Sequence, residues 1–412
     1  MTTRAGSSVR WGALAVMCAV GFAAHDVVAM PTVSTTPTVR GWVEATTSRW
    51  DASGEVIVTD VVVRAADGQR VTITEHGGSV DGIGMSVSHR DPNLVAGDEV
   101  ELVAGRQGVR ARRASVRSGV AAAPGPASVA GDGVARYGLQ RTSRSGRPLY
   151  HPSGSLRFVY DARGTARIEG EREWAAFDEA FTAWEVASAK QASGSVHFLR
   201  ERVPDAPDGH DGINTIRFHD DTWCRPATGT APPVCHSPEA VAVTRTLYVD
   251  DPASPRDGEI LEVDIEVNSV DFALAVDGRP AAIDLASAAA HEIGHALGLE
   301  HNCGLENGAW PTDQSEARVP NCESADRELL EATMYFQVQP GTVTMRSPEA
   351  SDLAGLCTVV EGACVPDVTG GCSAGADAGG RSSIGSILVG LLVGAVMRRR
   401  RRDRSPTGTA IA

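Results

Sequence analysis

Residues 291–301 read His-Glu-Ile-Gly-His-Ala-Leu-Gly-Leu-Glu-His, and no other stretch restricts what this chain can fold into so tightly. The string fits HExxHxxGxxH at all five defined positions: His291, Glu292, His295, Gly298 and His301. At about one chance in twenty per position, such a match arises by accident on the order of once in 10⁴ chains of this length. Ile283 to Leu299 is rich in Ala and Leu and free of proline, which predicts a helix. Residues four apart on a helix share a face, so His291 and His295 present two imidazoles to one point. Neutral imidazoles suit zinc, whose catalytic sites keep three protein ligands and one open position. Glu292, beside the first ligand, is placed to act as general base toward a water acidified by that metal. Gly298 offers a sharp exit from the helix that a side chain would oppose, returning His301 as third ligand. The pattern therefore predicts one catalytic Zn2+ held by His291, His295 and His301.

The same string resembles the zinc signature of the metzincin metallopeptidases, and its surroundings are most similar to the matrixin branch. That resemblance implies a zinc metalloendopeptidase acting on protein or peptide substrates. It also implies an α+β catalytic domain made of a twisted mixed sheet, an active-site helix and a C-terminal helix. Metzincins carry a methionine turn some tens of residues after the third histidine. Ala332-Thr333-Met334-Tyr335 lies at a suitable distance and nominates Met334 as a packing floor, not a ligand. Ser347 to Leu356 resembles the last matrixin helix, with Asp352 in the place of an aspartate that helps fix the domain. A Ser-Pro-Glu run is equally a plain helix start. The chain also departs from the pattern. Asn302 follows the third histidine, where many matrixins have Ser and adamalysins have Asp. Astacins and serralysins place a tyrosine two residues after the methionine; here Phe336 stands there, so Tyr335 receives no metal role. His197, His210 and His219 do not reproduce the second, structural zinc site of animal matrixins and read as solvated loop or strand residues.

Upstream, Arg172 to Ala189 spaces Trp174, Phe177, Phe181 and Trp184 at three- and four-residue intervals, an amphipathic helix whose aromatic seam belongs in a core. Val241 to Asp250 and Ile260 to Asn268 read as strands; in the second, Leu261, Val263, Ile265 and Val267 alternate with Glu262, Asp264 and Glu266. In metzincins the strand nearest the cleft aligns substrate by main-chain hydrogen bonds, and Ile260 to Ser269 is the candidate for it. From about Val39 to Val116, short runs such as Val56-Ile57-Val58, Val71-Thr72-Ile73 and Val100-Glu101-Leu102-Val103 are punctuated by Gly and Asp. They predict a small all-β domain over 30–117, a sheet or an OB-like barrel. It holds no cysteine, so it cannot supply the thiolate by which animal matrixin propeptides block the zinc. A propeptide of another kind, a chaperone and a substrate-binding module all stay open. An Ala-, Gly-, Pro- and Ser-rich linker over 118–133 separates it from the peptidase domain, 134–364.

The two ends point to export. Residues 1–29 read as a signal peptide, with Arg4, Arg10, an apolar run from Trp11 to Ala24, and cleavage after Ala24 or Ala29. At the other end, a linker over 365–381 leads to a hydrophobic segment and Arg-rich tail, 382–412. As a helix, Ile384 to Met397 reaches about 21 Å, short of a ~30 Å hydrocarbon core. Its apolar run, backed by Arg398 to Arg402, resembles bacterial C-terminal sorting tails, and Gly371-Cys372 resembles the MYXO-CTERM version. That implies transient inner-membrane association, a sorting protease acting near Cys372, and a final place at the cell surface, outer membrane or outside the cell. Arginines on the inner side agree with the positive-inside rule. A simple C-terminal anchor is the alternative.

Six further cysteines form an even set, which in an exported protein argues for disulfides. Sequential pairing (Cys224–Cys235, Cys303–Cys322, Cys357–Cys364) closes short loops; a zinc–thiolate site is the rival, although no CxxC occurs. The formal net charge of −14 speaks against nucleic acid as a partner. Two acidic runs offer Ca2+ as a structural ion: Asp205, Asp208, Asp211, Asp220 and Asp221, and Asp250, Asp251 and Asp257. Neither follows the EF-hand pattern. The alternative to an enzyme is a non-catalytic cell-surface binding or adhesion protein whose zinc is structural. Glu292 argues against it, since only catalysis requires that carboxylate.

Overall fold

Val- and Ile-rich runs broken by Gly and Asp turns build the first seven strands: β1 (Val39–Trp50), β2 (Ile57–Ala65), β3 (Arg70–His76), β4 (Gly78–Val80), β5 (Ile83–Val87), β6 (Glu99–Gly105) and β7 (Gly108–Arg113). The computed structural model describes residues 39–89, 94–105, 108–114, 137–190, 195–225, 233–305, 310–324 and 327–361. The predicted signal peptide, the 118–133 linker and the C-terminal linker and tail, with Cys364 and Cys372, lie outside the described residues. Among the described residues, no helix is long and apolar enough to cross a membrane.

Five of these strands form an antiparallel sheet in the order β3-β2-β1-β6-β7. Val43, Val61, Val63, Ile73, Val100 and Leu102 fill its core. β4 and β5 leave that sheet. They form a hairpin that extends the main sheet of the second half, so the boundary predicted near residue 117 does not keep the two sheets apart.

The second half begins with β8 (Gly138–Leu139) and β9 (Ser155–Asp161), followed by α1 (Arg172–Ala189). Then come β10 (His197–Val203), β11 (Asn214–His219), a two-residue hairpin of β12 (Cys224–Arg225) and β13 (Val234–Cys235), β14 (Ala242–Val249) and β15 (Ile260–Asn268). Three helices follow: α2 (Leu285–Ala296), α3 (Arg327–Glu331) and α4 (Ala350–Val359). The mixed main sheet runs β10-β9-β11-β15-β14-β5-β4. Its first four strands are parallel, and β14, β5 and β4 are each antiparallel to the strand before. The α1 seam lies against it: Trp174 stacks on Tyr160, while Phe181 contacts Phe158 and Phe198. Each of these rings removes a large apolar area from water, which makes the seam the natural centre of the core.

The cleft strand requires a correction. The resemblance nominates Ile260 to Ser269, but β15 lies inside the sheet, between β11 and β14. The reason is electrostatic. Glu262, Asp264 and Glu266 are exposed by only 4%, 4% and 2%, so the polar face of β15 meets protein rather than water. Arg245 of β14, itself buried, lies 2.8 Å from Asp264, 2.7 Å from Glu266 and 2.6 Å from Asp208. Glu262 accepts the Asp211 N–H at 2.8 Å and also bonds the Gly212 N–H. A period-two pattern of charge can therefore mark a buried ion network as readily as a wet face. Arg245→Met should lower the unfolding free energy by about 3–5 kcal/mol, because it strands buried carboxylates. Urea melts check this; a loss below about 1 kcal/mol would show those acids to be neutral without it.

Candidate metal centre and active site

α2 is fixed at both ends. Asp284 caps its start, accepting from the Ser287 N–H at 3.0 Å, and is held in turn by two bonds from Arg346. The Trp184 indole N–H donates to the Ala290 carbonyl at 2.9 Å and ties α1 to the same helix. His291 and His295, one turn apart, are buried with their Nε2 atoms 3.1 Å apart. Beyond Ala296 the chain leaves the helix through Gly298, whose φ of +101° suits glycine and few others. Leu299–Glu300 then pairs with β8 and delivers His301.

The imidazoles are oriented from behind. His291 Nδ1–H donates to the Thr333 carbonyl at 2.7 Å, and His295 Nδ1–H to the Leu299 carbonyl at 3.0 Å. A carbonyl only accepts, so each Nε2 lone pair is left to the cluster. His301 Nδ1 lies 3.2 Å from the Glu300 carboxylate, and its buried Nε2 has no hydrogen-bond partner. Ligand atoms of His291, His295, His301 and a fourth residue, His89, all lie within 4.8 Å of one another. Among the described residues no other group of three or more metal-ligating side chains converges in this way. An orphaned imidazole nitrogen beside two pre-oriented ones is a donor set that fits zinc.

Glu292 is buried in the same place. Its carboxylate accepts from the Thr244 hydroxyl at 2.6 Å and the Ser88 hydroxyl at 3.1 Å, and lies 3.1 Å from His89 Nε2. Burial works against its charge, but His89, His295 and His291 outweigh it and hold the carboxyl at about 2. Burial and the neighbouring imidazoles His295 and His89 push His291 down to about 3. Burial and the same neighbours hold His301 well below the ordinary histidine range. The arrangement is thus an anionic carboxylate beside imidazoles whose lone pairs are free to ligate.

The other nominated residues fall as follows. Met334 lies under α2: a Cβ added at Gly294 would collide with its sulfur and press on the Trp184 ring, so the helix fits glycine there. The Met334 carbonyl accepts the Asn302 N–H at 3.0 Å, tying the segment after His301 to the methionine turn. Asp352 is fully buried and accepts the Glu349 N–H at 3.0 Å; Glu349 accepts the Thr333 N–H at 2.8 Å. Burial, and then Glu349, raise the Asp352 carboxyl well above its usual range. Tyr335 packs with Cys303, Cys322, Leu329 and Met345. Cys224–Cys235 and Cys303–Cys322 are disulfides, the second closing the loop that follows His301. Cys357 is also disulfide-bonded, and its predicted partner Cys364 lies outside the described residues.

Several polar residues are engaged by protein rather than gathered as ligands. His219 is not solvated but bonds Glu266 at 2.7 Å, whereas His210 stacks on Trp50 and His197 bonds Ser195. The acidic runs meet protein donors: Asp208 the arginines 217, 225 and 245, Asp220 the Thr165 hydroxyl and the Ala166 N–H, and Asp257 the Ser145 hydroxyl. His89 escapes sequence reasoning altogether. It is a single histidine with no partner at a diagnostic spacing, about 200 residues before the cluster it joins.

With this geometry in place, residues 157–307 match the family model described as Matrixin, a span that contains His291, Glu292, His295 and His301. No curated protein matches the chain. Among solved structures, metalloproteinase-II from Bacteroides fragilis is similar at 12% identity, over 76% of this chain and 91% of that one. Its TM-score of 0.26 is too low to relate individual elements. The family match supports a metzincin-like peptidase, and so a hydrolase of the metalloprotease class. The matrixin family implies zinc, for which the histidine cluster is the candidate site.

One buried histidine outside the cluster gives a pH test. His151 Nε2–H donates to the Ala296 carbonyl at the end of α2 at 2.8 Å, and burial lowers its pKa from 6.5 to about 4. The unfolded chain therefore binds this proton near pH 6.5 and the folded chain only near 4. The stability present above 6.5 is lost as pH falls through that window, at about 1 kcal/mol per pH unit. Urea midpoints at pH 7 and pH 5 should converge in His151→Gln relative to the parent; an unchanged difference would remove His151 from the acid response.

Proposed function

We propose that this chain is an exported zinc endopeptidase that hydrolyses peptide bonds in proteins. The convergence of the His291, His295 and His301 nitrogens beside the Glu292 carboxylate, inside the Matrixin-matched span, supports this most directly. When bound, zinc supplies a Lewis acid that acidifies water and polarises the scissile carbonyl. The rest is the work of the chain. His291, His295 and His301 hold the metal, each steadied by an oxygen behind it. Glu292, ionised at neutral pH, takes the proton of the attacking water and hands it to the leaving amine nitrogen. The Thr244 hydroxyl keeps that carboxylate aimed. β14, which carries Thr244, is the strand along which an extended substrate would lie. Export through residues 1–29, and retention or release through the tail after Cys372, belong to the same proposal. The disulfides are in keeping with an oxidising compartment.

One observation favours a second reading. With His89 the cluster counts four imidazoles, and a zinc closed by four protein ligands is the structural type. A surface binding protein would need nothing more, but it would have no use for Glu292. Casein zymography with and without chelator separates the two. Glu292→Ala should keep one zinc per chain and lose about 10²–10⁴-fold in activity. A chelator-insensitive band would end the zinc assignment, and an active Glu292→Ala protein would end the role of the base. No band from zinc-loaded His89→Gln protein would favour the structural reading.

A further inference from the structure

Residues 83–89 occupy the ground that a substrate would need. β5 pairs antiparallel with β14 from Val87 opposite Arg245 to Ile83 opposite Val249, filling the main-chain edge that an extended peptide would use. Ser88 continues the ladder. Its N–H donates to the Thr244 carbonyl at 2.9 Å, and its hydroxyl accepts the Thr244 N–H at 2.8 Å while donating to Glu292 at 3.1 Å. His89 then takes φ +56°, a left-handed conformation that side chains rarely adopt. That turn carries its ring over the cluster, with centroids 5.2 Å from His291, 5.5 Å from His295 and 4.9 Å from His301.

Resting on the peptidase reading above, we propose that His89 is a fourth zinc ligand and that residues 83–89 form an internal plug that holds the enzyme latent. The strand stands in for substrate, and the imidazole takes the position that the reacting water requires. His89 Nε2–H donates to one Glu292 oxygen and the Ser88 hydroxyl to the other, which leaves the His89 Nδ1 lone pair for the metal, so metal, base and substrate edge are covered by seven consecutive residues. The step is ligand exchange at the metal and needs no oxidant or reductant. The plug is well anchored. Met85 packs with Val56, Ile57 and Leu247. The Ser86 hydroxyl donates to Gln140, whose amide N–H bonds the His295 and Leu299 carbonyls. His76 stacks on His236 at 4.5 Å, a further contact between the N-terminal strands and the peptidase half. Unblocking therefore means lifting the β4–β5 hairpin off β14, not rotating one side chain.

The test uses the full chain. Zinc K-edge X-ray absorption, on a Glu292→Gln background that prevents self-cleavage, counts the imidazoles around the metal. Four are expected in that protein, and three plus an oxygen after His89→Gln, which keeps a polar side chain but offers no imidazole. With Glu292 intact, His89→Gln should cleave a quenched peptide at least about tenfold faster than the parent, because the tethered competitor is gone. Ser88→Pro, which lacks the N–H held by Thr244, should also raise activity with His89 unchanged. Circular dichroism confirms folding; should His89→Gln fail to fold, the imidazole count of the parent and Ser88→Pro still decide. Three imidazoles in the parent, or equal rates in parent and variants, overturn the plug. A count falling from four to three with no hydrolysis by any protein overturns the peptidase reading and leaves His89 a structural ligand.

Discussion

Nε2 atoms of three histidines can meet at one point only because the nitrogens behind them are already committed. His291 is set by the Thr333 carbonyl, Thr333 by Glu349, and Glu349 by Asp352 at the start of α4. His295 is set by the Leu299 carbonyl, which Gln140 also bonds. The cluster is therefore the meeting point of α2, the methionine turn, α4 and the chain around β8. Bringing several imidazoles this close costs free energy without a cation to share, which couples metal binding to the stability of these four segments.

Much of this was legible in the sequence because periodicity records burial. The i, i+4 spacing of His291 and His295 requires a helix, and Gly298 marks where that helix must end. The α1 aromatics repeat at helical intervals and are found inside. Two features were not legible, for different reasons. Glu262, Asp264 and Glu266 alternate as a solvent-facing row would, yet Asp264 and Glu266 meet Arg245 on the neighbouring strand and Glu262 the Asp211 and Gly212 N–H groups, and no local rule names a partner across sheet register. His89 depends on a strand pairing between residues separated by more than 150 positions. Strand pairing is written in backbone hydrogen bonds that every residue offers, so the sequence carries little trace of it.

Covering an edge and covering a metal are usually separate problems. A strand edge left bare, as β14 would be without β5, invites any extended chain to pair with it, and native sheets protect such edges. A zinc with an open position invites any lone pair. Here one segment answers both, because a strand laid on β14 ends where Thr244 and Glu292 lie, and the next side chain falls over the cluster. The two functions are thereby coupled: the edge cannot be cleared without freeing the metal.

That coupling also explains why a strained residue ends the plug. A left-handed histidine costs on the order of 1–3 kcal/mol, supported here by the ladder before it and by Glu292 beside it. An unstrained strand end would carry the next side chain away from α2, since successive residues of a strand point to opposite faces. Ser88 and His89 both reach Glu292 although they are adjacent, and only the turn at His89 allows it. The strain is relieved once the hairpin lifts, so it favours the open form by the amount it costs the closed one. A tightly laid β5 and a strained His89 therefore oppose each other, and the balance between them sets how firmly the site is held shut.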